Sequence, residues 1–506
     1  MSAEAAFAPI FIPFKSKQFN TKGDFYWMAL ENSKEKNFPD WYAEVVQKSE
    51  MADYSSVQGC MVVRENAYGV WEAIQDAFNA MIKATGHRNA LFPLFIPKNL
   101  LTKEAEHFAG FTPEVAWVTR GGDSELSEPL AIRPTSETIM YESYAKWIHS
   151  HRDLPLLLNQ WCTVVRWETK ATKPFIRTRE VPWQEGHTVH ATKEETDAEV
   201  MLILGFYKKI LEDYLAVPVM IGKKSDREKF AGALYTTTCE ALMPDGKALQ
   251  SATSHNLGQN FAKAFGIRFK DKDETEQYAW QASWGMSTRI IGAMIMVHGD
   301  DKGVVIPPRV APLKVVIIPI AYSKPDDAKK VAKYCEGIYA KLKTAGISVK
   351  LDDRDDKSAG WKYNEWELKG VPLRLEIGLK DIEKDAVMMV RRDTGQKNSV
   401  AKEGLEKSVE DELEKMQHQL FEKARKARDE RISDAKDYEE FKKALETKRG
   451  FVRMSWCDER ECEEKISKDT TATMRLISFD DHKPHHKTCG HCGKPAKVTA
   501  YFAKSY

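Results

Sequence analysis

The chain has 506 residues, of which 42% are hydrophobic and 30% are charged. Lys and Arg together number 76 and Asp and Glu 75, so the formal net charge is only +1. This length predicts about three domains at ~150 residues each. The balanced charge excludes a uniformly basic nucleic-acid coat, so any polyanionic partner must be bound by local basic patches.

The first residues, MSAEAAFAPIFIPF, are apolar but contain two prolines and lack a basic start. They are also too short to span a bilayer, and no later segment approaches a membrane span. We therefore interpret 1–23 as an N-terminal extension and expect no membrane association. Scattered cysteines in hydrophobic surroundings are typical of reduced thiols, which predicts a cytoplasmic protein. They are Cys60, Cys162, Cys239 and Cys335.

From about residue 24 to 310, helix and strand patterns mix without the regular alternation of a parallel sheet. Residues 69–84 place Val70, Ile74 and Phe78 on one face, which predicts an amphipathic helix that ends near Gly86. Residues 90–97 are expected to be extended, with proline near the end of the run. We predict strands in the apolar runs 161–168, 217–222 and 291–299.

The segment 305–314 contains three prolines and predicts a linker. After it, an apolar strand is followed by a helix ending at Gly346 and by strands in 347–353, 372–378 and 385–393, which indicates an α/β unit. Mixed charges at helical spacing over 403–449 predict solvated helices.

Four stretches in about the first 300 residues contain charged and polar side chains that are candidates for substrate binding and catalysis. They are LAIRPTSETIM (130–140), VVRWETKATKPFIRTREVPWQEGHT (164–188), ALQSATSHNLGQNF (248–261) and SWGMSTRIIGAMIMVHGDD (283–301). Each alone has an ordinary structural explanation, such as a surface arginine or a core tryptophan. Together they resemble the signature motifs of class II aminoacyl-tRNA synthetases. More narrowly, the chain from about residue 24 to Tyr506 resembles a prolyl-tRNA synthetase of the archaeal and eukaryotic type.

The resemblance implies a multidomain protein of mixed α+β and α/β class. It implies a catalytic domain with an antiparallel sheet (24–310), an α/β anticodon-binding domain (311–402) and a small α+β zinc-binding domain (403–506). The implied activity is that of a proline–tRNA ligase, which forms prolyl-adenylate from L-proline and ATP and transfers proline to tRNA(Pro). ATP would be used with Mg²⁺, DNA is not an expected partner, and the helix near 70–84 matches a motif that forms a homodimer.

Adenylate formation brings a carboxylate to the α-phosphate of ATP, so fixed cations are needed around phosphorus. By the resemblance, the catalytic residues are Arg166, which bridges the two anions, and Arg289, which clamps the triphosphate. A guanidinium suits this task because it holds two oxygens in one plane. Glu168, expected on the same strand as Arg166, would accept the adenine amino hydrogen, and Arg177 would stack on the base or hold the γ-phosphate. The other implied ATP contacts are Gln250, Thr253, His255 and Ser287.

For Gln250 and Thr253, ordinary hydrogen bonding within a strand is an alternative explanation. Gly292, which follows Arg289 in the third signature stretch, is expected to allow close packing under the nucleotide.

Proline has a secondary ammonium with two N–H donors, so two acceptors satisfy it. The resemblance assigns that role to Thr135 and Glu137. It also implies a pyrrolidine pocket on one face of a strand, with a rear wall from another. The residues of this pocket are Trp183, Glu185, His187, Ser283 and Gly285. Phe111 and Glu114 match a loop that closes over the site.

Three alternatives compete with this assignment. One is an enzyme of the same fold that charges another amino acid; a threonyl enzyme, for example, would need a pocket zinc with Cys and His ligands, and the matching positions supply no such set. An inactive class II paralogue would have lost the motif arginines, which are present here. A zinc-ribbon nucleic-acid adaptor would use the large N-terminal region only as a scaffold.

The stretch from Thr188 to Ser283 is too short for the editing domain that bacterial-type prolyl enzymes insert there. Alanine is smaller than proline by two methylenes, each giving only ~1–3 kcal/mol of discrimination. We therefore expect alanine to be misactivated and mischarged tRNA to be cleared by another protein.

Near the C-terminus, Cys457-x4-Cys462 and Cys489-x2-Cys492 have the spacing of a closed structural zinc site. Two disulfides or free thiols are the alternative, disfavoured by the lack of a secretory signal. Nearby histidines that could replace one ligand are His482, His485, His486 and His491.

In the α/β unit, charged side chains are candidates for reading exposed bases, although a solvated charged face explains each one equally well. They are Arg354, Lys362, Glu367 and Arg374. Tyr506 matches the C-terminal tyrosine of the family, which packs back toward the catalytic domain.

Overall fold

The computed structural model of the protein describes residues 29–107, 114–320 and 324–506. The predicted N-terminal extension, 1–23, and Phe111 lie outside the described residues. In these ranges no helix is long and apolar enough to cross a membrane.

Up to residue 310 the chain forms helices that cover a set of mostly antiparallel strands. The helices are α1 (Phe38–Lys48), α2 (Glu65–Ala84), α3 (Lys98–His107), α4 (Glu137–Trp147), α5 (Lys193–Lys209), α6 (Asn260–Phe265) and α7 (Arg289–His298), with a 3₁₀ turn at His151–Asp153 and a π turn at Ile210–Tyr214. The strands are β1 (Ala52–Tyr54), β2 (Met61–Val63), β3 (Arg88–Asn89), β4 (Phe95–Pro97), β5 (Trp117–Gly121), β6 (Ser124–Ile132), β7 (Leu156–Val165), β8 (Glu180–His190), β9 (Val219–Lys223), β10 (Tyr235–Leu242), β11 (Ala248–Gly258), β12 (Arg268–Lys270), β13 (Glu276–Tyr278) and β14 (Trp280–Ser287).

The rest of the chain forms an α/β unit and a C-terminal unit. The helices are α8 (Pro325–Thr344), α9 (Ala359–Leu368), α10 (Leu379–Glu383), α11 (Leu405–Asp429), α12 (Tyr438–Thr447) and α13 (Arg460–Thr470). The strands are β15 (Val315–Pro319), β16 (Val349–Leu351), β17 (Leu373–Ile377), β18 (Ala386–Arg391), β19 (Lys397–Ala401), β20 (Ile432–Ala435), β21 (Phe451–Trp456), β22 (Thr473–Ser478) and β23 (Val498–Ala503).

The predicted antiparallel catalytic sheet is confirmed. Its strands lie in the order β9-β10-β11-β14-β8-β7, each antiparallel to its neighbour, and β3 adds to β7 in parallel. A large buried core under this sheet contains apolar side chains of α1, α2, α5 and α7, including Trp41, Phe78, Tyr207 and Ile291. Smaller sheets of two or three strands, β1-β2, β12-β13 and β4-β6-β5, lie beside it.

The predicted α/β fold of the second unit is also confirmed, since the five strands β16-β15-β17-β18-β19 form one mixed sheet. The following helix, α11, is not simply solvated. Its residues Leu405, Val409 and Leu413 are buried in the core of the α/β unit. The charged residues of α11 therefore occupy only one side of an amphipathic helix.

The strand predicted for 291–299 is wrong, because residues 289–298 form helix α7. Every residue from Ile290 to Met296 is buried, and the periodicity of an all-apolar run does not separate a buried helix from a buried strand. The helix predicted at 69–84 is confirmed but begins earlier, at Glu65. In 90–97, only Phe95–Pro97 forms a strand.

The C-terminal unit does not stand apart from the catalytic domain. Strand β22 pairs antiparallel with β9 through Ile477 with Lys223 and Ser478 with Gly222. The strands β20-β21-β23-β22 thereby extend the catalytic sheet to eleven strands. Side chains on β22 are consequently held at fixed positions beside β9 and β10.

Candidate active site

A cavity of about 540 Å³ opens on the catalytic sheet and is lined by residues of β7, β8, β10, β11 and β14 and of the helix starts of α4 and α7. Every substrate-binding residue predicted from the sequence lines this one cavity. These residues are Thr135, Glu137, Arg166, Glu168, Arg177, Trp183, Glu185, His187, Gln250, Thr253, His255, Ser283, Gly285, Ser287 and Arg289. The structure thus brings together residues that are up to 154 positions apart in the sequence, from Thr135 to Arg289.

At one end of the cavity, two buried carboxylates lie close to an imidazole. Ligand atoms of Glu137, Glu185 and His187 all lie within 4.8 Å of one another. Thr135 donates a hydrogen bond to the Glu137 carboxylate. This end of the cavity is therefore suited to a small cationic group.

The Glu185 carboxylate is held by the surrounding framework. It accepts hydrogen bonds from the Ser136 amide at 3.2 Å and from the Ser136 hydroxyl, from Gln160 Nε2 at 3.0 Å and from the Cys162 thiol at 3.3 Å. His187 Nε2 lies 3.1 Å from Glu185 Oε2, the oxygen that also accepts from the Ser136 amide. The sequence reasoning missed Ser136, Gln160 and Cys162. Only the position of Ser136, between Thr135 and Glu137, gave a hint of its role.

These contacts set the charges of the three groups. Burial alone would raise the pKa of Glu185, but hydrogen bonds and charge from His187 lower it. Burial opposes protonation of His187, yet Glu185 and Glu137 raise its pKa above the usual value of 6.5. The pKa of Glu137 is raised, mainly by burial and further by the charge of Glu185. Ionised Glu137 is thus the carboxylate left without a strong cationic partner, available to a bound ammonium.

The other end of the cavity is rich in guanidinium groups. Arg166, Arg177 and Arg289 all line it, and none of them forms an ion pair with a carboxylate among the described residues. Burial and the nearby charge of Arg166 lower the pKa of Arg289 to about 10. Arg289 donates from Nε to the Ile176 carbonyl at 3.0 Å and from Nη1 to the Gln250 carbonyl at 3.3 Å. Several uncompensated cations in one pocket favour a polyanion.

Arg166 and Glu168 do not lie within a strand as expected, because β7 ends at Val165. The chain turns here, and the Arg166 amide donates to the Arg179 carbonyl at 2.7 Å. The Arg166 guanidinium carbon lies 5.3 Å from the ring centroid of Trp183, within cation–π distance. Both predicted residues still line the cavity, from a turn that follows the strand.

Strand β11 contributes a row of polar groups to the cavity wall. The two ring nitrogens of His255 lie 2.9 Å from the Thr236 hydroxyl and 3.0 Å from the Thr253 hydroxyl. Burial lowers the pKa of His255 to about 3, so the imidazole is neutral. Gln250 lines the cavity where its carbonyl holds Arg289. His255 is therefore a neutral hydrogen-bonding group rather than a phosphate-binding cation.

Gly292, expected to allow close packing under the nucleotide, packs closely against the second signature stretch and α1. A β-carbon on Gly292 would be 2.5 Å from Ile176 Cδ1 and 2.9 Å from the Tyr42 hydroxyl. Tyr506 also lines the cavity. Its amide donates to the Ala248 carbonyl at 3.2 Å and its hydroxyl to Asp245 at 2.6 Å, so the predicted packing of the C-terminus on the catalytic domain is confirmed.

A second cluster lies in the C-terminal unit. The sulfurs of Cys457, Cys462, Cys489 and Cys492 all lie within 4.8 Å of one another, and all four thiols are free. Cys462 and Cys489 are 3.8 Å apart and Cys457 and Cys492 3.6 Å apart. Sulfurs bound at about 2.3 Å to a tetrahedral zinc ion lie about 3.8 Å apart, so the cluster fits zinc.

Of the nearby histidines, His491 contacts the cysteine cluster, with Nδ1 3.1 Å from the Cys462 sulfur. The other three are exposed: His482, His485 and His486.

The candidate base-reading residues of the α/β unit are mostly engaged within it. Arg354 pairs with Asp352 and Glu365, and Arg374 pairs with Glu376. Lys362 is buried and donates to the Asp352 carbonyl at 3.0 Å. These side chains therefore order the surface of the unit.

Three family models match successive parts of the chain. Residues 117–298 match "tRNA synthetase class II core domain (G, H, P, S and T)". Residues 314–412 match "Anticodon binding domain", and residues 438–506 match "Prolyl-tRNA synthetase, C-terminal".

Relatives and a solved structure match nearly the whole chain. "Proline--tRNA ligase 2" of Clostridioides difficile is 51% identical over 472 residues, covering 93% of this chain and 97% of the relative. The "Proline--tRNA ligase" of Acetoanaerobium sticklandii is 52% identical over the same shares of both chains. A crystal structure of prolyl-tRNA synthetase from Cryptosporidium parvum complexed with halofuginone and AMPPNP has a TM-score of 0.90 and 45% identity, covering 95% of this chain and 100% of that one. The chain therefore belongs to the prolyl-tRNA synthetase family of class II aminoacyl-tRNA synthetases.

Proposed function

We propose that the chain is a proline–tRNA ligase, which forms prolyl-adenylate from L-proline and ATP and transfers the prolyl group to tRNA(Pro). The observation that carries the proposal is the single cavity with an acidic end and a guanidinium-rich end. An amino acid placed between them would have its nitrogen at the carboxylates and its carboxylate toward the arginines. In that orientation the carboxylate of the amino acid would be placed to attack the α-phosphate of an ATP bound at the arginines.

Proline recognition is assigned to the acidic end. Glu137, supported by Thr135, would take the two N–H donors of the secondary ammonium. Glu185 lines the pocket but is held by its neighbours, so we assign it to fixing His187 and the start of α4. The Ser283 hydroxyl is buried and has no hydrogen-bond partner among the described residues, which leaves it available to the substrate. Trp183 and Gly285 form the remaining walls.

ATP recognition is assigned to the other end. Arg166 would bridge the proline carboxylate and the α-phosphate, and Arg289 would hold the triphosphate. Glu168 and Arg177 would bind the adenine side, and Gln250, Thr253, His255 and Ser287 the ribose and phosphates. Mg²⁺ would accompany ATP and neutralise part of the phosphate charge. The binding of the ATP analogue AMPPNP by the Cryptosporidium parvum enzyme supports this assignment.

Proline-dependent exchange of pyrophosphate into ATP tests the proposal. The purified chain is expected to show exchange with proline, and Arg166→Ala should reduce it by a factor on the order of 10²–10³. Arg268→Ala is the matched control, because Arg268 is on the surface of the same domain and pairs with Glu276. A chain without proline-dependent exchange would not be a proline–tRNA ligase.

We propose three functional units: a catalytic unit at 24–310, an α/β unit, and a C-terminal unit holding a structural zinc ion. The boundary expected between 402 and 403 is moved into α11, because Leu405, Val409 and Leu413 at the start of this helix are buried in the core of the α/β unit. The four cysteines would bind zinc as thiolates, and a closed site of this kind leaves no position for a substrate. Its role would be to hold together the end of β21, helix α13 and the 489–492 turn, since Cys457 directly follows β21, Cys462 lies on α13 and the other two cysteines lie in the turn.

We propose that the protein acts as a homodimer. Large apolar side chains of β1, β2 and the first turn of α2 are exposed: Tyr54 is 55% exposed, Val62 49% and Tyr68 47%. Exposed apolar patches mark protein interfaces. Sedimentation at micromolar concentration should give a dimer, and a Tyr68→Glu variant should shift it toward monomer. A monomeric wild-type chain would contradict the proposal.

A cytoplasmic location fits the free thiols of the eight cysteines. Cell fractionation against a secreted control protein would test it.

The chain is expected to misactivate alanine and not to clear the product itself. Residues 188–283, all within the described ranges, form α5, β9 to β14 and α6, which belong to the catalytic domain. Alanine-dependent exchange should be detectable at high alanine concentration. Deacylation of Ala-tRNA(Pro) by the purified chain would show that an editing site exists.

A further inference from the structure

A fully buried ionic cluster joins the C-terminal unit to the catalytic sheet. The side chain of Glu240 on β10 is 0% exposed, and Lys224 is 1% and Arg475 7% exposed. Lys224 Nζ donates to Glu240 Oε1 at 2.7 Å. Arg475, on β22, donates from Nε and Nη2 to both carboxylate oxygens at 2.9 to 3.1 Å. With the Thr238 hydroxyl at 3.1 Å, the Glu240 carboxylate is saturated with donors.

This cluster lies directly behind the ATP end of the cavity. Glu240 is paired across the sheet with Gln250, whose carbonyl accepts the hydrogen bond from Arg289. Thr236, on the same face of β10 as Glu240, lines the cavity and touches His255. The charges of Glu240 and Arg475 both act on Arg289, the first raising and the second lowering its pKa.

An unsaturated carboxylate at this position would compete with ATP for Arg289. Arg289 has only two backbone carbonyls as partners and no ion pair among the described residues, so its guanidinium is held but not neutralised. In a protein interior the attraction between opposite charges is much stronger than in water. The Glu240 carboxylate would therefore attract Arg289 toward β10 if no other cations were paired with that carboxylate. Lys224 and Arg475 do so, and the cluster as a whole keeps one excess positive charge.

We propose that Arg475 of the C-terminal unit is a positioning residue for the ATP site: by saturating Glu240, it keeps Arg289 free to bind the triphosphate. The C-terminal unit thereby contributes a charge to amino-acid activation although Arg475 itself does not line the cavity. The inference depends on the proposed ATP site.

The test uses the full-length chain and proline-dependent ATP–pyrophosphate exchange. Arg475→Met removes the charge while keeping the length of the side chain. The KM for ATP is expected to rise by roughly tenfold, with the KM for proline within about twofold of wild type. Adding Glu240→Gln should return the KM for ATP to near the wild-type value, because the competing carboxylate is then gone.

Arg453→Met is the matched control. Arg453 lies on β21, which β23 separates from β22, and forms ion pairs with Asp434 and Asp481. The Arg453→Met substitution should leave the KM for ATP unchanged. If Arg475→Met does not fold, Lys224→Met is used as the test variant in its place, because it also removes one of the two cations that pair with Glu240.

A purely structural cluster would give other results. An unchanged KM for ATP in Arg475→Met, equal increases for ATP and proline, or no recovery in the double variant would each overturn the inference. Failure of the proposed function is distinguishable from these, because the wild-type chain would then show no exchange.

Discussion

The indole ring of Trp284 lies directly against the α-carbon of Gly186, its partner on the neighbouring strand. A β-carbon on Gly186 would be only 2.1 Å from that ring. Gly186→Ala must therefore displace Trp284 or β8, at a cost of about 1–3 kcal/mol for overpacking. Because Glu185 and His187 flank Gly186, we also expect a higher KM for proline. Thermal unfolding and exchange kinetics measure the two effects.

Gly205→Ala is the control for this change. Gly205 lies on helix α5, and nothing would lie within 4 Å of its β-carbon. Replacing a helical glycine with alanine should stabilise the protein by up to about 1 kcal/mol and leave the KM for proline unchanged. A Gly186→Ala variant as stable and active as wild type would contradict the close packing.

Proline binding should weaken as the pH falls, and the loss should begin at a higher pH than it would for an ordinary glutamate, because the pKa of Glu137 is raised. Burial and the charge of Glu185 raise the pKa of Glu137, while His187 acts in the opposite direction. The ionised form binds the ammonium, so kcat/KM for proline is constant above this pKa and falls as the pH drops through it. His187, with its pKa raised by Glu185 and Glu137, stays protonated over that acidic range.

The pH profile of kcat/KM for proline measures this effect. Glu137→Gln should lower the plateau strongly and remove the acidic limb, since the amide does not titrate there. An acidic limb of unchanged position in Glu137→Gln would show that another group controls it.

Removing the metal should unfold the C-terminal unit. A closed zinc site with four thiolate ligands contributes about 10–16 kcal/mol of apparent binding free energy, which becomes folding free energy. Chelation, or Cys489→Ser, should release one zinc per chain by metal analysis and lower the unfolding temperature. Cys60→Ser, which changes a half-buried thiol outside the cluster, should do neither. A chain that is stable and metal-free would contradict the zinc assignment.

The pair of Arg392 and Asp300 should set the position of the α/β unit on the catalytic domain. Arg392 follows β18 and donates to Asp300, just after α7, at 2.7 and 2.8 Å. Arg392→Met should cost roughly 1–2 kcal/mol, reduced by solvent because Asp300 is 42% exposed. We expect the KM for tRNA to rise more than that for ATP, because a tRNA contacting both units needs them in fixed positions.

Its matched control is the neighbouring residue. Arg391 forms ion pairs with Asp393 and with Glu412 on α11, and neither partner belongs to the catalytic domain. Arg391→Met should reduce stability without the selective rise in the KM for tRNA, measured by aminoacylation beside exchange. Equal effects of both variants on tRNA would contradict a role in domain placement.

The residues that line the cavity could be predicted from the sequence because four short stretches resemble the signature motifs of the family. Thr135 and Glu137 are two residues apart, and Trp183, Glu185 and His187 alternate on one strand, so local geometry places them. The strand predicted at 291–299 failed for a physical reason: a helix buried on all sides has no polar face to reveal its period.

The supporting contacts could not be predicted in the same way. Glu240 and Arg475 are 235 residues apart, and no local pattern links a strand of the catalytic sheet to one of the C-terminal unit. Gln160 and Cys162 look like ordinary strand residues until β7 is paired with β8, where they meet Glu185. Such contacts depend on the register between strands, which the sequence does not state.

The pairing of β22 with β9 also affects what happens when the chain is shortened. Without the last four strands, the hydrogen-bonding groups of β9 on the β22 side would lie open at the rim of the catalytic sheet. An uncovered strand of this kind is a template for pairing with another molecule. Catalytic domains cut before residue 432 should therefore associate into insoluble assemblies rather than remain as smaller working enzymes.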